Sequence, residues 1–390
     1  MVTLQTADSA LKTVYLGVIG NQLNVASNPL LTRIKQTTNN VYGNEIKKAT
    51  TYGISGGVSA GTENGELPAS YAQKREQFVA TLKNLYGTIE ITDKAIRCSQ
   101  NSAGAFVNLL NDEMESLIKS STFNLGRMLY GDGSGILATC TADNETDILE
   151  LTVDKPRNLI ENLGCRFVNA NKKNYSSDSP FYILSVDKAN NKIMASRYTD
   201  KNFKGYHIAT LNGLNNEITG LGKIFSDSET LYGLQREECF WLKPYMKSGV
   251  GEISELAIQT AIDEIEETSG CEVDFIACSA KVRRAYQEAV SSYKRNLDVM
   301  NLQGGFKAIS YNGIPVVTDR FVEDDAMYIL STKDFELCQL GDWQWLEGND
   351  GRIIKQKEGY PVYTATLVKY AELLCNKPNG QAKLSGIVGA

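Results

Sequence analysis

Hydrophobic residues along this chain change their period from stretch to stretch, and those changes divide it into parts. Residues 8–20, "DSALKTVYLGVIG", place Leu11, Val14, Tyr15, Val18 and Ile19 on one helical face. Asn and Ser follow and then Pro29, so residues 1–45 read as an arm carrying a short amphipathic helix. From Ile46 to Ile96 glycine dominates the first half. In the second half, "LYGTIEITDKAI", Ile89 and Ile91 alternate with polar neighbours, as in an exposed strand. Two extended limbs around the polar tip Glu63, Asn64, Gly65, Glu66 and Pro68 predict a long hairpin. A hairpin buries too little surface to be stable alone, so this one needs a partner such as another subunit.

Residues 101–130 predict the clearest element. Phe106, Leu109, Leu110, Met114, Leu117, Ile118, Leu125, Met128 and Leu129 track a 3.6-residue period, with Ser102 as N-cap and "GDGSG" at 131–135 as the stop. A helix of about 45 Å, at about 1.5 Å per residue, is longer than a compact domain needs. Over 136–231 the pattern turns to short apolar runs (Ile148-Leu149, Phe167-Val168, Tyr182 to Leu184, Ile193-Met194) separated by polar residues, with a turn at 187–192. This predicts a small inserted all-β module. Beyond it, "SELAIQTAIDEIEETSG" reads as an amphipathic helix closed by Gly270, "CEVDFIAC" as a buried strand, and "SAKVRRAYQEAV" as a helix capped by Ser279. "ISYNGIPVVTD" is strand with a turn at Asn312-Gly313, and strand-like text returns from Tyr328 to the end. The mixed order predicts α+β rather than a parallel βαβ series.

Composition narrows the function classes. With 390 residues the chain has room for two or three domains at about 150 residues each. Its apolar share of 42% and charged share of 22% suit a globular core. A net charge of −6 argues against tight duplex binding, which needs Lys and Arg to neutralise phosphates. No run approaches the about 20 apolar residues of a membrane span, and Asp8 and Lys12 interrupt any signal-peptide pattern. The cysteines, Cys98, Cys140, Cys165, Cys239, Cys271, Cys278, Cys338 and Cys375, form no C-x-x-C pair and several sit in apolar runs. That usage fits a reducing compartment. His207 is the only histidine, which removes every two-histidine motif and most zinc sites.

Fragments that imitate active sites fail on context. Gly53-Ile54-Ser55-Gly56-Gly57 spells G-x-S-x-G, but no apolar strand precedes Ser55 and no helix follows it, and its base would have to be His207. Gly56 to Gly61 opens like a phosphate loop, yet Thr62-Glu63 stand where Lys is required, and Glu63 would repel phosphate. "GDGSG" lacks dinucleotide spacing and follows a helix, so it reads as a helix stop. "DNETD" at 143–147 lacks the glycine and bidentate Glu of a calcium loop and reads as a solvated acidic loop. The basic stretches 281–287 and 293–296 read as an exposed helix face or an interface salt-bridge donor. Trp343 and Trp345 alternate, so both rings face one side, for core packing or a subunit contact. We therefore expect no catalytic, cofactor-binding or metal residues and no enzymatic activity. The unusual features are mechanical: parts unstable alone that neighbours in an assembly would cover, through contacts repeated around an axis.

The order of these parts resembles the major capsid protein of tailed bacteriophages with the Hong Kong 97-like fold, over almost the whole chain. The resemblance is carried by "ALKTVYLGVIGNQL", the stretch from "KKATTYGISGG" to "YGTIEITDKAIR", the long helix running into "LYGDGSG", "AIDEIEETSG" with "VDFIACSAKVRRAYQ", "GGFKAISYNGIPVV", "MYILSTKDFELCQLGDWQWLEG" and "ATLVKYAELLCNKPNGQAKL". It implies an N-terminal arm at 1–45 and an extended loop at 46–96 that lies over a neighbouring subunit. It further implies a peripheral domain at 97–135 and 336–390 with its spine helix at 101–130, and an axial domain at 232–335 that packs around the five- and sixfold axes. Residues 136–231 are an insertion relative to the smallest members. The glycines of 53–61 then belong to a loop limb whose backbone must bend.

The implied function is a shell that self-assembles through pentamers and hexamers and encloses double-stranded DNA. Its implied partners are copies of itself, a separate scaffolding protein because the arm is short, a portal and decoration proteins. DNA would be held without sequence-specific contacts and no membrane is involved; the setting is the virion, assembled in the bacterial host cytoplasm. Some relatives weld the shell through Lys–Asn bonds, but "KEGYPVYTA" has no Asn, so no crosslink is expected. Two other readings stay open: an encapsulin-like nanocompartment enclosing enzyme cargo, and a hydrolase built on Ser55 and His207.

Overall fold

The alternation of buried and exposed positions in Lys83–Thr92, where Leu85, Ile89 and Ile91 are buried and Tyr86, Thr88 and Glu90 face outward, makes this strand one half of the molecule's central pairing. It runs antiparallel to the long strand Val362–Cys375, from Thr92 opposite Val362 to Lys83 opposite Ala371. The computed structural model that shows this describes residues 28–388 apart from 54–55, 68, 70–71, 100–102, 143–149, 177–178, 197–202, 292–298 and 302–306, together with Leu11, Lys12, Leu16, Gln22 and Leu23. Val362–Cys375 also pairs with Phe335–Gln339, Gln344–Trp345 and Lys355–Gln356, and Lys35–Thr37 adds in parallel beyond Phe335–Gln339. The helix Ala103–Tyr130 packs on this sheet through Leu117 and Leu125.

The second sheet has seven strands in the order Tyr245–Lys247, Ala382–Leu384, Met327–Leu330, Phe275–Cys278, Ile314–Thr318, Lys307–Tyr311 and Val299–Asn301. Period-two patterning splits its faces. Phe275, Ala277, Val317, Tyr328 and Leu330 join the main core. Ile276, Cys278, Val316, Met327 and Ile329 form a separate core with the helices Glu255–Ser269 and Ala280–Ser291. The first of these helices starts where the Ser254 hydroxyl accepts the Ala257 N–H at 3.2 Å and ends at Gly270, whose φ of +64° is the left-handed stop that glycine tolerates. Ser279 caps the second helix by accepting the Val282 N–H at 3.1 Å.

The inserted module is a third unit with its own core. Ile136–Thr139, His207–Thr210, Gly164–Val168, Phe181–Asp187, Lys192–Ala195 and Glu150–Thr152 form a six-stranded sheet in that order. An antiparallel bridge between Cys140 and Val153, with Thr141 N–H donating to Thr152 O at 2.8 Å, joins the last strand back to the first. The sheet thus closes on itself as a small barrel. Phe167 stacks on Phe203 at 3.7 Å and on Phe181 at 4.6 Å inside it.

Four boundaries differ from the sequence expectation. The hairpin's return limb is Arg75–Thr81, paired with Glu45–Thr51, and the strand that follows leaves the hairpin for the central sheet. Ile89 and Ile91 therefore face the main core and not solvent. The barrel ends at Thr210; residues 211–231 return to the main core through Ile218, Leu221, Ile224, Phe225 and Leu231. The C-terminal strand Ala382–Leu384 belongs to the seven-stranded sheet and not with the strands from 335 to 375. Residues of the predicted arm are already body: Leu30, Leu31 and Ile34 are buried, and Lys35–Thr37 is a sheet strand. Most of the helix expected at 8–20 lies outside the described residues, but Leu11 is buried and its carbonyl accepts the Trp345 indole N–H at 3.1 Å.

Candidate assembly surfaces

The residues that imitated catalytic sites do not converge. Ser55 and residues 143–147 lie outside the described residues, as do Ser102 and 293–296. His207 sits in a barrel strand, buried, with Nδ1 2.9 Å from the Thr139 hydroxyl, and burial followed by the charge of Lys172 pushes its pKa down. Gly56 and Gly57 lie in coil; Gly56 is exposed and Gly57 half-buried. Burial raises the thiols of Cys140, Cys165 and Cys278 to about 12, far from the thiolate form that reacts. Among the described residues no group of three or more His, Cys, Asp or Glu is placed to hold a metal, and no helix is long and apolar enough to cross a membrane. Trp343 and Trp345 are buried in the main core.

"GDGSG" is the joint between the long helix and the barrel. Gly135 has φ +75°, and a Cβ there would lie 2.1 Å from the Gly213 carbonyl oxygen, so no side chain fits. Gly135→Ala is expected to cost about 2–3 kcal/mol, from the left-handed backbone plus the clash. A urea melt measures it, and an unchanged midpoint would contradict this packing.

Among the described residues the hairpin is fastened at its root. Tyr52 stacks on Trp241 at 5.4 Å, Trp241 on Phe78 at 5.6 Å, and Phe78 packs against Tyr232 at 5.1 Å. Val79 N–H donates to Tyr232 O at 3.0 Å, and the Tyr232 hydroxyl donates to Leu373 O at 3.0 Å, tying the root to the central sheet. Beyond Tyr52 the described tip residues are almost all exposed, including Val58 at 89% and Leu67 at 86%. A two-stranded ribbon carrying uncovered apolar residues is incomplete by itself.

A groove of about 480 Å³ runs between the long helix, the strand Lys83–Thr92 and the barrel, lined by Tyr86, Leu117, Ser120, Asn124, Tyr182 and Leu211. Buried polar contacts fasten the elements around it. Arg127 on the helix donates two hydrogen bonds, of 2.6 and 2.8 Å, to the Glu217 carboxylate on the segment leaving the barrel. On the central strand, Glu372 accepts the Thr219 N–H at 2.6 Å and the Leu373 N–H at 2.9 Å. Lys369, almost fully buried, donates to Gln36 Oε1 and Asp342 Oδ1, both at 3.1 Å, and so pins the entering strand to the central one. Burial pushes its ammonium below the ordinary lysine range.

Burial raises the Glu372 carboxyl from 4.5 to about 7. Because its folded value is raised, the folded state holds a proton that the unfolded chain has already released between those values. Stability from this group is therefore full below pH 4.5 and is lost as pH rises through about 7. The displacement corresponds to on the order of 3 kcal/mol. Glu372→Gln should flatten that part of the stability profile, read from urea melts at pH 5 and pH 8. A variant with the wild-type profile would contradict it.

Sequence reading found the wrappings of these surfaces but not their fastenings. Arg127 and Glu217, or Tyr52, Trp241 and Phe78, are far apart in the chain, and no local pattern announces their pairing.

No family model and no curated protein matches the chain. Among solved structures, the capsid asymmetric unit of Cyanophage A-1(L) is similar over 96% of this chain and 93% of that one, with a TM-score of 0.55 at 11% identity. The SrpI encapsulin complex from Synechococcus elongatus PCC 7942 matches over 91% and 85% with a TM-score of 0.46 at 8% identity. A structure of Mycobacterium phage Bobi matches over the full length of both chains with a TM-score of 0.45 at 8% identity. The first of these establishes the fold: the chain has the α+β fold of a phage capsid subunit, the Hong Kong 97-like fold that the sequence resembled. A fold is not a function.

Proposed function

We propose that this chain is a major capsid protein, a structural subunit without catalytic activity that assembles through pentamers and hexamers into an icosahedral shell around phage double-stranded DNA. The observation that carries the reading is the hairpin. In a fold shared over 96% of the chain with the cyanophage capsid structure, the tip residues Val58 and Leu67 project uncovered from a root clamped by aromatic rings. A monomeric enzyme has no use for such a part, whereas a shell subunit has a neighbour to lay it on. Specific contacts bury about 1,200–2,000 Å², and closure multiplies many of them.

In this reading residues 46–81 form the extended loop and the helix Ala103–Tyr130 is the spine of the peripheral domain, with the central sheet. The seven-stranded sheet and its two helices form the axial domain, and the barrel reinforces or decorates the shell. The negative net charge suits a wall that contains DNA without binding it tightly. A separate scaffolding protein, a portal and decoration proteins would act with it, and assembly would take place in the host cytoplasm.

Sedimentation and negative-stain microscopy of the chain, expressed with and without its genomic neighbours, test this. Closed shells, or tubes and rings of the same subunit, are expected, and nuclease-protected DNA in particles made with the neighbours. Protein cargo in place of DNA would make the shell a nanocompartment instead. A strict monomer in every preparation would overturn the reading.

A further inference from the structure

The two helices packed on the seven-stranded sheet carry exposed charge toward their unfavourable ends, Glu255 in the first turn of the first helix excepted. Glu255–Ser269 finishes with Asp263, Glu264, Glu266 and Glu267 and has no basic residue in its last turn, where the helix dipole is negative. Asp263 and Glu267 are both exposed and one turn apart, so they also repel each other. Ala280–Ser291 opens with Lys281, Arg283 and Arg284 and has no acidic residue in its first turn, where the dipole is positive. Lys281 and Arg284 are exposed on one stripe, three residues apart. Among the described residues none of these seven forms an ion pair, and Arg283 Nε is buried without a hydrogen-bond partner.

Neither cluster can neutralise the other within one chain. The strand Phe275–Cys278 separates the end of the first helix from the start of the second. Its length alone is about 13 Å at about 3.3 Å per residue, more than a screening length of about 8 Å at physiological salt. Carboxylates beside the basic end have other partners: Asp319, whose N–H donates to Cys278 O, accepts from Asn28 and from the Phe321 N–H, and Asp324, whose carbonyl accepts the Ser279 hydroxyl, pairs with Arg157 at 3.4 Å. The acidic helix packs over Tyr245–Lys247, Ala382–Leu384 and Met327–Leu330, and the basic helix over Ile314–Thr318 and Ile387–Val388, so within the seven-stranded sheet the two helices cover different flanks.

We propose that the acidic end of Glu255–Ser269 in one copy docks on the basic end of Ala280–Ser291 in the next, head to tail around a rotation axis. This contact rests on the shell reading above and adds its charge code. The occupant is a second copy because both halves of the match lie on the same chain, on opposite flanks, which is the arrangement a heterologous ring requires. Docking relieves, in each copy, the like-charge repulsion and the two adverse dipole interactions that a lone subunit carries. Complementary charge also steers the encounter and fixes its register.

The test is a charge swap. Asp263→Lys with Glu267→Lys, and Lys281→Glu with Arg284→Glu, are each expected to lower the assembled fraction by at least about tenfold at low salt. Both pairs combined in one chain restore it, because the attraction is rebuilt with its sign reversed. Asp263 also accepts the Gln259 amide at 2.6 Å, so the stabilising sign is expected of the other reversal: Lys281→Glu with Arg284→Glu should raise the thermal midpoint of the unassembled subunit, since it improves the start of that helix. Loss of assembly together with a firmer subunit is an outcome that misfolding does not produce. Reversed variants that assemble like wild type, or a combined swap that folds but fails to recover, overturn the contact while leaving the shell reading in place. A wild-type chain that never assembles overturns both.

Discussion

Replacing Arg127 with alanine is expected to destabilise the chain by about 3–5 kcal/mol, the usual consequence of breaking a buried ion pair by removing one partner. Arg127 and Glu217 are 4% and 3% exposed, and the two hydrogen bonds of 2.6 and 2.8 Å satisfy both carboxylate oxygens. Without the guanidinium the Glu217 carboxylate is left buried without its partner, a penalty that pulling the segment 211–219 into water would relieve. That segment is where the barrel rejoins the body: Ile218 and Leu221, next to Glu217, are fully buried in the main core. The loss should therefore appear as partial opening of the barrel attachment as well as a lower urea midpoint. The paired substitution Arg127→Met with Glu217→Met is expected to recover most of it, because the penalty comes from the uncompensated charge rather than from a missing attraction. A loss below about 1 kcal/mol for Arg127→Ala would mean the pair is solvated in practice and would contradict the burial described above.

Shortening the hairpin has the opposite signature: the fold survives and assembly fails. Tyr52 N–H donates to Lys74 O at 3.2 Å, so residues 52 and 74 already face each other across the two limbs. Replacing 53–73 with Asn-Gly would close them with a two-residue turn of the type that matches strand twist. The aromatic root, Tyr52 on Trp241 and Phe78 on Tyr232, and the pairing of Glu45–Thr51 with Arg75–Thr81 are untouched. The variant subunit should keep its thermal midpoint within about 2–3 °C, as expected when the described residues removed are almost all exposed. Light scattering should show no large particles under conditions where wild type forms them. Full-sized shells from the shortened chain would remove the hairpin from the assembly mechanism.

Elements governed by local periodicity were legible in the sequence. The long helix, the capped helix ending at Gly270, the helix after Ser279, and the turns at 187–192 and 312–313 each depend on residues within a few positions of one another. The α+β class and the resemblance followed from their order. What stayed hidden depends on pairing across distance. Lys83–Thr92 looked like a hairpin limb because its alternation says only that one face is buried, not what buries it. The closing of the barrel rests on one bridge between Cys140 and Val153, and the return of Ala382–Leu384 to the seven-stranded sheet on contacts more than fifty residues away. Glu372 and Lys369 sit in an apolar strand where sequence offers no sign that two ionisable groups will find polar partners. The mechanical character of the chain was nevertheless readable, since the hairpin tip is as uncovered in the structure as its composition implied.

The central claim, that this chain builds a closed shell by laying its hairpin across a neighbour, is tested most directly by cryo-electron microscopy of the purified assembly at side-chain resolution. The expected map is an icosahedral particle with density for residues 53–73 against an adjacent subunit, and Val58 and Leu67 buried there. Discrete monomers, or particles in which the hairpin still projects into solvent, would contradict it.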